Sequence, residues 1–339
     1  MLPPQVFTHR ASSQHRDNFG CGGPHGVLLG LRLLTTAAIL RSLLGFLARW
    51  WWPFELLCHF RLQYAWSLSL AALIFWGARS YRWAAVTTIV AAINLALMVP
   101  FFWPTPLVDD ADRDVVRVLV ANVHTSNQQT DRFLRLVENE SPDVIVVLEV
   151  NQRWINDLSS LRNDYPFARL EPRDGNFGMA LFSRRPLDGL QTIDLGGINT
   201  PAIEATIATR AGDLSLLAIH PLPPVRRENA RIRNQQLQQA TALVQRKQVP
   251  QVVVGDFNAT PWSPAFGDLL READRRAAPL VGRLRPPWPL PSPWWLVRIP
   301  IDHSLVSARI DIHSFTTLDD IGSDHLPICI DVSLPDDRG

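Results

Sequence analysis

The chain reads as an α/β protein: a two-sheet α/β sandwich preceded by an α-helical transmembrane region. Three observations lead there. The first hundred residues are far more apolar than the rest, and Trp clusters between Trp50 and Trp103. From Val115 onward, β-branched and apolar runs recur at strand length. Strands outnumber the helix-length polar segments between them, which favours paired sheets with helices outside.

With 339 residues there is room for a large core and more than one region. The net charge of +1 hides the asymmetry between the two ends. Lys247 is the single Lys, so the Arg content reflects a preference for Arg over Lys rather than a basic face for nucleic acid. Cys21, Cys58 and Cys329 form no CxxC pair, so neither a zinc knuckle nor a disulfide framework is implied.

Residues 1–26 are polar and Gly-rich and receive no function; 27–104 read as a helical region of about three spans. Trp83 to Trp103 carries no charge and suits a hydrocarbon core of about 30 Å. Phe54 to Ala78 is long enough, with Glu55, His59 and Arg61 placed at the interface. Val27 to Ala48 contains Arg32 and Arg41. A central Arg costs about 2.5–3.5 kcal/mol, so Arg41 must snorkel, face a neighbouring helix or mark a tilted segment. A cleaved signal peptide fits poorly, because the apolar stretches are too many and begin after a long polar lead. Buried helices of a soluble all-α domain are the alternative; Trp at the ends of the stretches fits an interfacial belt better. Arg79 and Arg82, with no acid beside them, place the loop between spans two and three in the cytoplasm and the C-terminal domain outside it.

Pro104 and Pro106 with the acidic run Asp109 to Asp114 mark a linker over 105–114, and 115–335 form the second domain. Strands are expected at Val115–Asn122, Asp143–Glu149, Gly178–Ser183, Ala202–Thr209, Leu214–His220, Gln251–Asp256, Ile301–Val306 and Leu326–Val332. Helices are expected at Gln128–Glu140 and Arg226–Gln248. Polar residues stand at the strand ends: Asn122, Glu149, His220, Asp256 with Asn258, Asp302, and Asp324 with His325. Singly, each has an ordinary reading as a turn, cap or solvated residue. Jointly, their order and strand context form a pattern.

That pattern, carried by VVVGDFNATPWS, IDHSLVS and GSDHLPI and supported by LVANVH, PDVIVVLEV, GMALFSRRPL and AIHPLPP, resembles the endonuclease/exonuclease/phosphatase superfamily over Val115 to Leu334. The resemblance implies a deoxyribonuclease I-like fold and a phosphoesterase dependent on Mg²⁺, with Mn²⁺ as the alternative. It implies Glu149 as principal metal carboxylate, with Asn122 beside it and Asp324 completing the set. His325, oriented by Asp302, would act on the attacking water or a phosphoryl oxygen. Asp256 would orient the nucleophile or assist the leaving group; Asn258 and His220 would bind phosphate, His220 also as a candidate acid. Ser183 would join the supporting network. Three positions depart from the common pattern: His124 for an acidic residue, Leu148 for Gln and His303 for Tyr. The first leaves a second metal position open.

The family's branches differ in their loops. Here Pro286 to Pro300 offers Trp288, Trp294 and Trp295 to the bilayer surface, a substrate groove or the domain's own flank. Arg226, Arg227, Arg231 and Arg233 face phosphate or solvent. The expected partners are a phosphoester, lipid or nucleic acid, and the lipid bilayer, with no obligate protein partner. The layout is that of a membrane-attached bacterial type, multi-pass in the inner membrane. A nuclease on extracytoplasmic nucleic acid and a catalytically silent binding protein are the alternatives.

Overall fold

A computed structural model describes residues 24–102, 108, 112–278, 286–290 and 297–335. The N-terminal segment to residue 23, the acidic stretch 109–111, and Trp103, Trp294 and Trp295 lie outside the described residues.

The apolar region forms α1 (Pro24–Leu44), α2 (Trp52–Cys58), α3 (Arg61–Gly77) and α4 (Tyr81–Phe102). Gly26–Leu47 and α4, 22 residues each, are long and apolar enough to cross a hydrocarbon core. The middle stretch differs from the single span expected. Pro53 opens a separate helix, α2, and the chain turns at His59–Phe60 before α3 begins. The 17 residues of α3 extend about 26 Å, short of a core of about 30 Å.

The polar residues that crowd this stretch are buried against protein. Glu55 and His59 face the second domain. Arg61 Nη1 donates to the Ser42 carbonyl at 2.8 Å, and its guanidinium lies 4.2 Å from the Phe46 ring centroid. Tyr64 and Leu68 of α3 pack on Val90 and Ala91 of α4, with Ala38 and Ile39 of α1 alongside. The outer faces remain open, with Leu34 73%, Leu73 69% and Ile89 60% exposed. A soluble core helix would be mostly buried; here 11% and 28% of the two spanning windows are.

The second domain comprises β1 (Val116–Asn122), α5 (Thr130–Glu140), β2 (Val144–Leu148), α6 (Gln152–Asp157), β3 (Phe167–Glu171), β4 (Met179–Ser183), β5 (Leu187–Asp194), β6 (Pro201–Thr209), β7 (Gly212–Ile219), α7 (Arg227–Arg246), β8 (Gln251–Asp256), α8 (Pro264–Glu272), β9 (Arg275–Ala277), β10 (Asp302–Ser307), β11 (Asp311–Thr317) and β12 (Ile328–Ser333). One sheet runs β11-β12-β1-β2-β4-β3, the other β5-β6-β7-β8-β10-β9. The β1–β2 and β7–β8 pairs are parallel, each joined through a helix, and the other pairs are antiparallel.

Alternation along the strands makes the sandwich. Val118, Val120, Val144 and Val146 point inward against Leu216, Ala218, Val252 and Val254 of the facing sheet. Their neighbours Leu119, Ala121, Ile145 and Val147 point outward to Phe133 of α5 and Trp154 of α6. Leu217, Val253 and Leu305 likewise meet Leu237 of α7 and Phe266 of α8. Each sheet is thus buried on both faces, which explains the continuous apolar runs of its central strands.

Candidate active site

Strand register gathers the polar strand ends on one edge of the sandwich. Asn122 pairs with Leu148, which puts Glu149 beside it. Asp302 pairs with Asp256, and Ile219, the residue before His220, pairs with Gly255. Ile328 pairs with Val120, so Asp324 and His325 enter at the same end. Close backbone approach fixes two of these crossings. A Cβ on Gly178 would lie 1.8 Å from the Val150 carbonyl, and one on Gly255, at φ 144°, 1.9 Å from the Ile219 carbonyl.

Asp256 is the hub. Its Oδ1 accepts from the Asn258 backbone N–H at 2.9 Å. Its Oδ2 lies 3.5 Å from Asn122 Nδ2, 3.6 Å from His220 Nε2 and 3.7 Å from His325 Nε2. On its other side, His325 Nδ1 donates to Asp302 Oδ2 at 2.9 Å. Burial and the Asp302 charge push the Asp256 carboxyl up to about 8. Burial alone would lower His325, but Asp302, Asp256 and Asp324 outweigh it and lift the imidazole to about 10. His220 shifts the other way: burial, helped by the His325 charge, drives it down to about 3, so it stays neutral. Its ring packs on Phe177 at 5.3 Å, and its Nδ1 is buried without a hydrogen-bond partner.

Glu149 holds left-handed backbone at φ 64°, a conformation a non-Gly residue adopts only under constraint. The neighbouring amides hold it there: Val123 N–H donates to Leu148 O, and Val150 N–H to Gly178 O. Asn122 Nδ2 donates to Glu149 Oε1 at 2.9 Å, while its amide oxygen accepts from the His124 N–H. Asn122 therefore straps Glu149 towards Asp256. Burial raises the Glu149 carboxyl despite that hydrogen bond, and Oε2 is buried without a partner.

Two donor sets are thus present. Asp256, Asp302 and His325 have ligand atoms within 4.8 Å of one another. Asp302 Oδ2 already accepts the His325 proton, however, so this group is organised for proton chemistry. A buried carboxylate oxygen without a donor is the better seat for a cation, which favours Glu149. Asp324, near enough to raise the Glu149 pKa, adds acidity there and accepts from Trp288 Nε1 at 3.2 Å.

Asn258 takes φ 46° and gives Nδ2 to the Pro221 carbonyl at 2.9 Å, leaving its second amide hydrogen available. Ser183 lies elsewhere. It pairs with Val144, at the opposite end of β2 from Glu149, and its hydroxyl donates to the Arg185 carbonyl to close a turn. Among the α7 arginines, Arg233 is fully buried and Arg231 pairs with Glu228 on the same helix. His303 Nε2 donates to the Ala259 carbonyl at 2.9 Å and its ring packs on Phe257 and Phe266, a structural place behind the loop.

Sequence reasoning missed two supports, Ser323 and the placement of Arg233 beneath the loop, and left Trp288 open between bilayer, substrate groove and the domain's own flank. Ser323 Oγ donates to the Asn122 carbonyl at 2.7 Å and accepts from the His325 N–H, tying β1 to the late loop. Its place inside the GSDH run was the available signal. Trp288 stands 6.3 Å from the His325 ring, so it flanks the site. Arg233 Nη1 donates to the Asn258 carbonyl at 3.0 Å from beneath, which no local pattern announces.

The paired sheets and their polar edge define a deoxyribonuclease I-like protein, a class whose members generally hydrolyse phosphoester bonds and typically require a divalent metal. The chain belongs to the endonuclease/exonuclease/phosphatase family, whose profile matches residues 119–325. The fold is similar to a family protein from Bacteroides thetaiotaomicron, with TM-score 0.55, 14% identity, and 66% of this chain and 99% of that one covered. It is similar to the human Nocturnin catalytic domain with bound sulfate, with TM-score 0.51, 20% identity, and coverage of 66% and 96%. It is also similar to D. rerio TDP2 complexed with single-strand DNA product, with TM-score 0.53, 13% identity, and coverage of 65% and 99%. No curated protein matches the chain.

Proposed function

We propose that this protein is a membrane-tethered, divalent-metal-dependent phosphoesterase that hydrolyses phosphodiester or phosphomonoester bonds by attack of water on phosphorus. The observation that carries the reading is the buried Asp302–His325–Asp256 array lying beside a Glu149 carboxylate whose second oxygen has no donor. A divalent ion at Glu149, with Asp324 beside it, would supply Lewis acidity to the phosphoryl oxygens.

The chain's own residues do the rest. Asp302 fixes His325 with Nε2 towards Asp256, so the imidazolium faces a phosphoryl oxygen and offsets its charge. Asp256, whose burial makes its carboxylate a stronger base than an exposed one, orients the water and in its ionised form takes its proton as the new P–O bond forms. It returns a proton to the leaving oxygen as the old P–O bond breaks. Neutral His220 and the free Asn258 amide hydrogen bind the phosphate as neutral donors.

The tether is Gly26–Leu47 and α4, whose apolar faces point outward, with the shorter α3 as the return crossing between them. The loop with Arg79 and the catalytic domain lie at opposite ends of the helices: Arg32 in the N-terminal half of α1 bonds Ser80, while Arg49 beyond its C-terminal end pairs with Asp268. The charge of Arg79 and Arg82 supports a cytoplasmic place for that loop, which would leave the catalytic domain outside.

The test is turnover by the full chain in detergent on bis-p-nitrophenyl phosphate, p-nitrophenyl phosphate, plasmid DNA and phospholipid vesicles, with Mg²⁺, Mn²⁺ or EDTA. Metal-dependent hydrolysis abolished by His325→Ala is expected. A folded protein with no turnover on any of them would overturn the reading.

A further inference from the structure

A large apolar cavity lies where the helices meet the catalytic domain. Its volume is about 950 Å³, at the top of the range of about 300–1,000 Å³ that encloses whole small ligands. The helices contribute Arg41 at the end of α1, Gln63 near the start of α3 and Phe102 at the end of α4; the domain contributes Trp262, Pro286 and Val297. Among the described residues of this wall, Arg41 is the one that is charged.

The domain side of the cavity is built from the two loops that shape the phosphoryl site. Trp262 follows Asn258 in the loop after β8, and that loop is clasped from the helices by His59 Nδ1 on Thr260 Oγ1 at 2.9 Å. Pro286 leads into Trp288, which contacts Asp324 and His325, and the Pro287 carbonyl accepts from the Leu326 N–H at 3.0 Å. Two polar atoms on the wall are buried without partners: Trp262 Nε1, a donor, and Gln63 Oε1, an acceptor. An apolar chamber open to the spanning helices, carrying one cation and two unmet hydrogen-bonding atoms, suits an amphiphile with a long tail and a polar, anionic junction.

We infer that this cavity takes the hydrocarbon tail of a lipid phosphoester whose phosphate reaches the Asp256–His325 site. The inference rests on the phosphoesterase reading and names its substrate class. Arg41 then faces the polar segment between tail and phosphate rather than the bilayer interior, which accounts for an Arg on a spanning helix.

The experiment uses the full chain in detergent with Mn²⁺ and two substrates of equal chemistry, hexadecyl and methyl p-nitrophenyl phosphate. Plugs enter from opposite walls, Ala38→Phe and Val297→Phe. Retention of one hexadecyl phosphodiester molecule is read by native mass spectrometry without metal. The expected result is a kcat/KM at least tenfold higher for the hexadecyl ester, with each plug lowering that ratio at least tenfold and reducing retention. Equal kcat/KM for the two esters, or a ratio untouched by both plugs, overturns the tail site while leaving the phosphoesterase reading in place. Plug-sensitive retention with neither ester hydrolysed supports the tail site and overturns the phosphoesterase reading.

Discussion

Glu55 of α2 and Arg233 of α7 form a buried ion pair between the helical region and the catalytic domain. Arg233 passes the contact on to the Asn258 carbonyl, and Ser263 Oγ adds a second donor to Glu55 at 2.5 Å. Removing one partner of a buried pair costs about 3–5 kcal/mol, because the other charge is left uncompensated. Glu55→Ala should therefore lower Tm sharply and reduce kcat through the Asn258 loop. Glu55→Leu with Arg233→Met should recover most of the Tm, since an apolar pair of similar volume fits a buried site. Calorimetry of both variants checks this; a Glu55→Ala Tm within a degree of wild type would refute it.

Asp302→Asn keeps the shape of the site but removes the charge that holds His325 protonated. Losing one preorganised electrostatic group of this kind costs about 10²–10³-fold in kcat. A kcat loss in that range with KM little changed is expected, measured on bis-p-nitrophenyl phosphate. A loss confined to KM would move Asp302 out of the proposed chemistry.

The Glu149 carboxylate is penalised by burial, so its ionised form destabilises the metal-free fold. Glu149→Gln should leave the metal-free Tm equal or higher, yet abolish the Tm rise that Mn²⁺ gives the wild type. An undiminished Mn²⁺ response would place the metal elsewhere, with the Asp256–Asp302–His325 group the next candidate.

Asp114 anchors the linker to the domain. Burial tends to raise its carboxyl, but the Arg210 N–H and the Arg185 guanidinium outweigh it and hold it below the ordinary 3.8. A depressed folded-state pKa stabilises the fold above the unfolded value, and that stabilisation is lost as pH falls through the folded value. Asp114→Asn should lower Tm at pH 7, and the difference should shrink as pH drops below 3.8. A difference constant with pH would show that charge plays no part.

Burial, with Asp331 nearby, pushes the Cys329 thiol up to about 12. It should resist alkylation at pH 8 in the folded protein and react on unfolding, as peptide mass mapping will show. Rapid labelling of the native state would contradict the β12 packing.

What the sequence showed and what it hid divide along the sheets. The legible strands, such as β1, β2, β8 and β12, are buried on both faces and read as apolar runs. The strands that went unread, β3, β5, β9 and β11, are the four edges of the two sheets. Their half-exposed residues, as in Leu187–Asp194 and Asp311–Thr317, carry neither a run nor a clean alternation. The site residues were legible because strand ends concentrate them within motifs. Ser183 misled because its place in a family motif carries no information about which end of the strand it occupies. Glu55–Arg233 was hidden because its partners are 178 positions apart and neither lies in a pattern.

The catalytic domain is not on a leash. Arg49 with Asp268, Glu55 with Arg233, His59 with Thr260 and Gln63 with the Arg298 carbonyl grip it against the helices along one flank. With those helices in a bilayer, the cleft keeps a fixed height and tilt relative to the surface. Encounter with a lipid substrate then becomes lateral diffusion in two dimensions. Its rate follows the mole fraction of substrate in the leaflet rather than its concentration in bulk, and diluting the membrane with inert lipid slows the enzyme even when every molecule of substrate remains in the tube.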